Sequence, residues 1–349
     1  MNIQETYMYR CLQIAKMGAG KVAPNPMVGA VLVYEDNIIG EGYHENYGEA
    51  HAEVNCINSV SESNIKFINK STLYVSLEPC AHFGKTPPCA DLIIKHKIPN
   101  VVIGCRDSYN EVDGKGIQKL QSAGVDVTVG VLEKEAMELN RRFFIFHSKK
   151  RPFIILKWAQ SDDAKIAAID YAAVKISSEF TSRLVHKWRS EEAAILVGFN
   201  TALQDDPTLN NRFYTGNDPV RLVLDRHLKL PADLHIFDGK IKTIVFNELE
   251  DTEIDGIIYK QLPAQKNLLP SLLEALYHLN IQSIFVEGGA KLLQSFIDQH
   301  YWDEARIITN KNLLIGDGII APRLSNQQQI KSKNISTDLI SIYQNKLHQ

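Results

Sequence analysis

The sequence lacks an excess of positive charge. Its 38 Lys and Arg residues are balanced by 41 Asp and Glu residues. The balance also holds locally, with 16 basic and 17 acidic residues in 1–150 and 22 and 24 in 151–349. Neither part therefore carries the basic surface expected of a nucleic-acid-binding protein. We expect a small substrate and no nucleic-acid partner.

Long apolar runs and a cysteine framework are also lacking. No apolar run approaches the roughly 18 residues that a helix needs to cross a bilayer. The first residues contain no basic segment followed by an apolar core, so no secretion signal is expected. Five cysteines are an odd number, which favours a reducing compartment over a disulfide-stabilised fold. We therefore expect a cytoplasmic protein without a membrane partner.

The strongest positive signal is a set of zinc ligands. His51 and Glu53 form a His-x-Glu pair, and Cys80 and Cys89, each preceded by proline, follow. One imidazole and two thiolates leave a tetrahedral position open for water, which is typical of catalytic zinc. His-x-Glu with Pro-Cys is the signature of zinc deaminases, in which the glutamate is the general acid/base. Residues i and i+2 of a helix point to different sides, so His51 and Glu53 can converge only where a helix begins.

The length of 349 residues suits two domains, each with its own core. A basic turn with proline at residues 149–152 marks the expected boundary between domains 1–150 and 151–349. Strand patterns alternate with helix patterns in both, which implies largely parallel sheets with helices on both faces. We also expect one helix over residues 133–147. The polar tail after Ser325 is expected to be partly loose and to carry no chemistry.

A glycine pair provides a weaker signal. Gly288 and Gly289 follow an apolar strand at residues 283–286 and precede a helix pattern. Such a turn presents free N–H groups to a phosphate, but glycine is also needed there for steric reasons alone. No Gly-x-Gly-x-x-Gly precedes an acidic residue by about 20 positions, so a standard Rossmann site is not expected.

Several longer motifs resemble those of the bifunctional deaminase-reductases of riboflavin biosynthesis. In the first domain they are Pro24-Asn25-Pro26-x-Val28-Gly29, Gly42-Tyr43-His44, His51-Ala52-Glu53-Val54 and the segment from Leu77 to Cys89, with eight residues between its cysteines. In the second they are Lys157-Trp158-Ala159-Gln160-Ser161, Leu196-Val197-Gly198 and Asp205-Asp206-Pro207-x-Leu209-x-x-Arg212. The resemblance implies a cytidine-deaminase-like α/β/α domain followed by a dihydrofolate-reductase-like α/β domain.

The resemblance implies a deaminase in the first domain. Its substrate would be 2,5-diamino-6-(5-phosphoribosylamino)pyrimidin-4-one, attacked by zinc hydroxide at the carbon that bears the 2-amino group. Glu53 would carry the water proton to the departing ammonia. The residues expected to contact the substrate are Asn25, His44, His82 and Lys85. Two alternatives stay open from the residues alone, because Asn25 between two prolines suits a turn and Lys85 can be merely solvated.

For the second domain, the resemblance implies that NADPH delivers hydride to C1′ of the opened ribose. Lys157 would be catalytic and stabilise the developing charge. The expected substrate contacts are Arg189, Leu209, Arg212 and Glu287. The expected cofactor contacts are Ala159, Ser161, Ser177, Thr201, Asp205, Gly288 and Gly289. Guanidinium groups match phosphate geometry, although both arginines can also be surface ion pairs. The resemblance also favours a homo-oligomer, most simply a dimer.

Departures from the family pattern define an alternative. Ala164 stands where the family has glycine, at a turn whose backbone needs a positive φ, and Ala173 and Lys175 stand where serine and tryptophan are usual. These changes leave open a deaminase whose reductase domain is degenerate.

Overall fold

The computed structural model describes residues 1–81, 83, 87–107, 114–169, 174–264 and 267–348. The chain divides into two compact units, Met1–Lys150 and Arg151–Gln349. Among the described residues, no helix has the length and apolar composition to cross a membrane.

The first unit is built on a five-stranded sheet in the order β2-β1-β3-β4-β5. Its strands are β1 (Gly29–Tyr34), β2 (Asn37–Tyr43), β3 (Thr72–Leu77), β4 (Asn100–Cys105) and β5 (Asp126–Val129). Its helices are α1 (Ile3–Ala15), α2 (Ala52–Asn58), α3 (Cys89–Lys95), α4 (Lys115–Ser122), α5 (Glu133–Leu139) and α6 (Arg141–Lys149). The β1 strand pairs antiparallel with β2 and β3, whereas β3, β4 and β5 are parallel. The sheet is therefore mixed.

Alternating side chains of β1 show how both faces of this sheet are covered. Ala30 and Leu32 belong to the apolar core formed with α2, α3 and α4. Val31 and Val33 point the other way and pack with Tyr7 and other residues of α1. The result is the α/β/α sandwich that the resemblance implies.

The prediction of a single helix over residues 133–147 is wrong in one respect, because the helix is interrupted at Asn140. Asn140 has φ −107° and ψ 22°, outside helical geometry. Its buried side-chain amide donates to the carbonyl of Met27 (2.9 Å) and accepts from the Met27 N–H (2.8 Å). This pairing satisfies the backbone of a segment more than 100 residues away and divides the helix into α5 and α6.

The second unit is built on a ten-stranded sheet in the order β11-β12-β10-β9-β8-β13-β6-β14-β17-β16, with a separate pair β15-β7. Its strands are β6 (Phe153–Ser161), β7 (Lys165–Ala168), β8 (Ala194–Gly198), β9 (Val220–Leu224), β10 (Thr243–Asn247), β11 (Thr252–Ile254), β12 (Ile257–Gln261), β13 (Ser283–Val286), β14 (Glu304–Asn310), β15 (Gly318–Ile320), β16 (Gln327–Ile335) and β17 (Asp338–Asn345). Its helices are α7 (Glu179–Ser190), α8 (Phe199–Asp205), α9 (Leu269–His278) and α10 (Ala290–Asp298).

The strands from β12 to β14 in this order run parallel. Because the strands are parallel, their carboxyl ends meet at one edge of the sheet, where ligands of open α/β sheets bind. The polar tail differs from the expectation of a loose segment, since β16 and β17 form a hairpin whose β17 pairs with β14. The β16 strand lies at the sheet edge and is exposed along most of its length, which explains its polar sequence.

Candidate active sites

The three predicted zinc ligands come together in the first unit. His51 is the N-cap of α2, Cys80 lies in the loop after β3, and Cys89 is the first residue of α3. Nδ1 of His51 lies 3.6 Å from Sγ of Cys80 and 3.4 Å from Sγ of Cys89. All three ligand atoms lie within 4.8 Å of one another. The expectation that a helix begins at His51 is confirmed.

These distances fit zinc. Bonds of about 2.3 Å to sulfur and about 2.0–2.1 Å to nitrogen, at the tetrahedral angle, separate the two atoms by about 3.6 Å. The observed separations of 3.6 and 3.4 Å match that edge length. One nitrogen and two sulfur donors are also a ligand set that suits Zn²⁺ and leaves one position open.

The two thiols of the cluster affect each other's pKa. Their hydrogen bond lowers the pKa of Cys80 to about 4 and raises the pKa of Cys89 well above its ordinary value. The backbone N–H of Cys89 also donates to Sγ of Cys80 (3.3 Å), which favours the thiolate. The surroundings of Cys80 therefore favour the thiolate, which is the form that binds a metal ion.

Glu53 lies in the first turn of α2 and is buried. Burial raises the pKa of its carboxyl group, and the negative charge of Cys80 raises it further. A carboxyl group with a raised pKa is suited to accept and return a proton near neutral pH. Its position beside the ligand cluster agrees with the predicted acid/base role.

A neutral histidine fixes the orientation of Asn25. His44 is buried, which lowers its pKa, and its Nδ1 lies 3.0 Å from the carbonyl of Ala50. A carbonyl only accepts, so Nδ1 carries the proton and Nε2 accepts from Nδ2 of Asn25 at 3.0 Å. Within the described part of the chain, Oδ1 and the second N–H group of Asn25 then remain for a ligand. The other two predicted contacts, His82 and Lys85, lie outside the described residues.

A cleft of about 900 Å³ lies at the carboxyl ends of the parallel strands in the second unit. Seven of the predicted reductase residues line it, namely Lys157, Ala159, Ser177, Thr201, Asp205, Glu287 and Gly289. Gly289 has φ +68° and precedes α10, so the predicted glycine turn is present. The edge of the sheet thus gathers residues separated by 130 positions in the sequence.

Glu287 is the centre of an ion-pair network in this cleft. Its carboxylate accepts from Nε (2.6 Å) and NH2 (2.9 Å) of Arg189 and from Nζ of Lys157 (3.4 Å). Burial alone would raise the pKa of Glu287, but the two positive charges outweigh it and lower the pKa to about 2. Arg189 also donates from NH1 to the carbonyl of Asn210 (3.1 Å). Two of its five N–H groups remain for a ligand.

Five predicted residues do not line the cleft, and one of them, Arg189, reaches it only through its hydrogen bonds to Glu287. Ser161 is fully buried, and its hydroxyl group donates to Asp163 (2.5 Å) within the turn after β6. Leu209 is buried and Gly288 lies in the turn before α10. Arg212 is exposed and donates to the side chains of two neighbours, Thr208 and Asn210.

The cleft residues that the sequence analysis missed include three basic residues of one turn. Arg226, His227 and Lys229 follow β9 and line the cleft beside Thr201. Arg226 pairs with Glu248 (2.7 Å), whereas no partner is recorded for His227 or Lys229 within the described part of the chain. The signal in the sequence is a basic turn directly after an apolar strand.

The turn between β6 and β7 has the expected strain. Ala164 has φ +56°, in the left-handed region that glycine adopts without penalty. The turn is held by Asp163, which accepts from the N–H groups of Ile315 (3.1 Å) and Gly316 (2.7 Å). Lys175 is exposed and pairs with Glu179 (3.5 Å), and Ala173 lies outside the described residues.

Comparisons with known proteins find a family match in each unit. Residues 1–105 match the family described as "Cytidine and deoxycytidylate deaminase zinc-binding region", and residues 152–346 match the family described as "RibD C-terminal domain". The chain is 39% identical to the riboflavin biosynthesis protein RibD of Aquifex aeolicus over 98% of each chain. It is 37% identical to RibD of Bacillus amyloliquefaciens over 95% of this chain and 90% of that protein.

A solved structure extends the similarity to the whole fold. It is a Thermotoga maritima protein described as a diaminohydroxyphosphoribosylaminopyrimidine deaminase/5-amino-6-(5-phosphoribosylamino)uracil reductase, with a TM-score of 0.89 and 35% identity over 98% of this chain and 99% of that chain. The expected fold is confirmed, and the matches give no support to a degenerate reductase. Zinc and NADPH are the cofactors of the two activities. The chain belongs to the RibD family and is a bifunctional deaminase and reductase of riboflavin biosynthesis.

Proposed function

We propose that the two reactions are divided between the two units, with deamination in residues 1–150 and reduction in residues 151–349. One observation supports this division most strongly. The proposed zinc ligands and Glu53 all lie in the first unit, whereas the cleft that Lys157 lines lies in the second. The two matched family regions, 1–105 and 152–346, fall on either side of the division.

The first substrate is 2,5-diamino-6-(5-phosphoribosylamino)pyrimidin-4-one, and the leaving group is its 2-amino group. His51, Cys80 and Cys89 would hold the zinc, which would supply a water of lowered pKa. Glu53 would accept a proton from that water and return it to the departing ammonia. Asn25, oriented by His44, presents Oδ1 to a ring N–H of the pyrimidine. His82 and Lys85 are proposed contacts to the ring and the phosphate.

The second substrate is the deaminated product, 5-amino-6-(5-phosphoribosylamino)uracil, which NADPH reduces at C1′ of the opened ribose. Lys157 would stabilise the charge that develops during this reduction, and Glu287 holds Lys157 in place. Arg189 fixes Glu287 through two hydrogen bonds and uses its remaining N–H groups for the substrate. Arg212 and Leu209 border the substrate, with Arg212 directed to the 5′-phosphate.

The cleft would hold the cofactor, since its lining extends from Lys157 to the residues that follow β9. Ala159, Ser177, Thr201, Asp205, Gly288 and Gly289 are its proposed contacts, and Ser161 contributes through the backbone turn that its hydroxyl group holds. Three strand spacings separate β6 from β9, which is about 14 Å. The basic residues after β9 therefore lie far from Lys157 and are suited to the 2′-phosphate that distinguishes NADPH from NADH.

The protein is proposed to be a cytoplasmic homodimer. All five cysteines are free, which agrees with a reducing compartment. The exposed edge strand β16 offers unpaired backbone groups to a second copy. Sedimentation at several protein concentrations measures the oligomeric state, and a monomer at all of them would contradict the dimer.

The division of labour is tested with Glu53→Gln in the full-length chain. Ammonia release from the diaminopyrimidinone should fall by roughly 10²- to 10⁴-fold, as expected for the loss of an acid/base group. Oxidation of NADPH with the deaminated intermediate should be unchanged. The matched control is Glu62→Gln, at an exposed position of the same unit, which should alter neither reaction.

Two results would contradict the proposal. Native ammonia release by Glu53→Gln would remove Glu53 from the mechanism. Loss of both activities in a folded Glu53→Gln protein would show that the two sites are not separable.

A further inference from the structure

Glu78 is a motif residue that the two reactions leave without a role. It follows β3, lies two residues before Cys80 and is only 4% exposed. Its Oε2 accepts from the N–H groups of Asp107 (3.2 Å) and Gly114 (3.1 Å), and its Oε1 accepts from those of Gly116 (3.0 Å) and Ile117 (3.3 Å). A buried carboxylate with four backbone donors is fixed in position, since each bond to a charged acceptor is strong.

The helix α4 supplies part of this binding site. Gly116 and Ile117 lie in its first turn, where unpaired N–H groups and the helix dipole favour a negative charge. The contact is close on the backbone too, because a Cβ atom at Gly116 would lie 1.9 Å from the carbonyl oxygen of Pro79. The backbone of the segment that contains Cys80 therefore packs directly against the first turn of α4.

The position of Cys80 depends on this contact. The only residue between Glu78 and Cys80 is Pro79, whose ring fixes φ and removes a degree of freedom. Bonds to a metal tolerate deviations of only about 0.2 Å. A shift of the loop would move Sγ of Cys80 away from His51 and Cys89, to which it now lies at the separation that zinc requires.

We propose that Glu78 is a positioning residue of the zinc site, which holds Cys80 at bonding distance by binding the N-terminus of α4. Its negative charge and its reach are both required. The inference uses the proposed zinc ligands, but its main readout is the affinity for zinc and does not depend on which pyrimidine is deaminated.

The test is Glu78→Gln in the full-length chain. The amide keeps the length of the side chain. Its NH2 group, however, replaces one carboxylate oxygen and faces the two backbone N–H groups from which that oxygen accepted hydrogen bonds. The dissociation constant for zinc, measured by competition with a chromophoric chelator, should rise by roughly 10- to 100-fold, the range found for groups that orient metal ligands. The reductase rate with NADPH should be unchanged. Glu41→Gln is the matched control, because it removes a carboxylate that pairs with Arg10 (2.6 Å) in the same unit.

The outcomes are distinguishable from a general effect on folding. A purely structural role would lower the melting temperature but leave zinc affinity unchanged at temperatures where the variant is folded, and this result would overturn the proposal. Glu78→Asp keeps the negative charge but shortens the side chain by one methylene group. It should therefore weaken zinc binding less than Glu78→Gln does. If Glu78→Gln does not fold, Glu78→Asp decides: native zinc affinity overturns the proposal, and weakened affinity with an intact reductase supports it.

Discussion

Replacing Glu287 with glutamine should damage the reductase unit in two measurable ways. In the native chain the carboxylate pairs with Arg189 and Lys157, and its side chain is 8% exposed. The amide removes the negative charge while keeping the shape. Two cations are then left close together without a buried counter-charge.

The stability effect can be estimated twice. The pKa of Glu287 is lowered from 4.5 to about 2, which corresponds to on the order of 3 kcal/mol. Removal of one partner from a buried ion pair typically costs about 3–5 kcal/mol. The two estimates agree and predict a fall of roughly 6–12 °C in the Tm of the second unit.

The catalytic effect follows from the loss of the contact to Lys157. A hydrogen bond to a charged group contributes about 1.5–3 kcal/mol, so kcat/KM of the reductase should fall by roughly 10- to 100-fold. Reductase activity is followed by NADPH absorbance, and ammonia release by the same variant should be native. The control is Glu274→Gln, on the exposed face of α9, where the carboxylate lies 4.0 Å from His278.

The pH dependence gives a separate check. Because the pKa of Glu287 is lowered on folding, its contribution is fully present above about pH 4.5 and is lost as the pH falls through about 2. The difference in stability between the native chain and Glu287→Gln should therefore disappear as the pH falls through this range. A variant with native Tm, native reduction and an unchanged pH dependence would refute the ion-pair network as the organiser of this site.

Other variants test the remaining parts of the account. Cys80→Ser should lose stoichiometric zinc and ammonia release but keep reduction, and metal analysis that still finds one zinc per chain would reject the ligand assignment. Lys229→Met should raise KM for NADPH by roughly tenfold per 1.4 kcal/mol of lost interaction and leave KM for NADH unchanged, whereas equal changes for both cofactors would exclude a 2′-phosphate contact. Ala164→Gly should stabilise the second unit by about 0.5–1 kcal/mol. An alanine in the left-handed region destabilises the folded state by about 1–2 kcal/mol, and the greater conformational entropy of glycine in the unfolded chain offsets part of the gain from removing it. An unchanged or lower Tm would contradict this prediction.

Local motifs account for what the sequence analysis predicted correctly. The cluster of His51, Cys80 and Cys89 could be found because histidine and cysteine are the residue types that bind zinc, and their spacing is visible in the sequence. The start of α2 at His51 followed from geometry alone, since residues i and i+2 within a helix point to different sides. The core strand Ser283–Val286 was visible because a buried strand of a parallel sheet is mostly apolar.

Long-range contacts account for what it missed. The break at Asn140 depends on the backbone of Met27, which no local pattern around residue 140 reveals. The basic residues after β9 line the cleft of the second unit only because the pairing of β9 with β8, β13 and β6 brings them to the same sheet edge. The hydroxyl group of Ser161 looked available from the sequence, but the turn at Asp163 uses it.

The coupling of the two reactions on one chain is the most direct test of the account. Zinc-loaded native protein is supplied with the diaminopyrimidinone, and ammonia and NADPH are measured in the same sample. Without NADPH, ammonia should be released and the reaction should stop at the uracil. With NADPH, one molecule should be oxidised for each ammonia released, after a lag while the intermediate accumulates. Oxidation of NADPH that does not require prior release of ammonia, or release of ammonia that survives removal of zinc, would contradict the central claim.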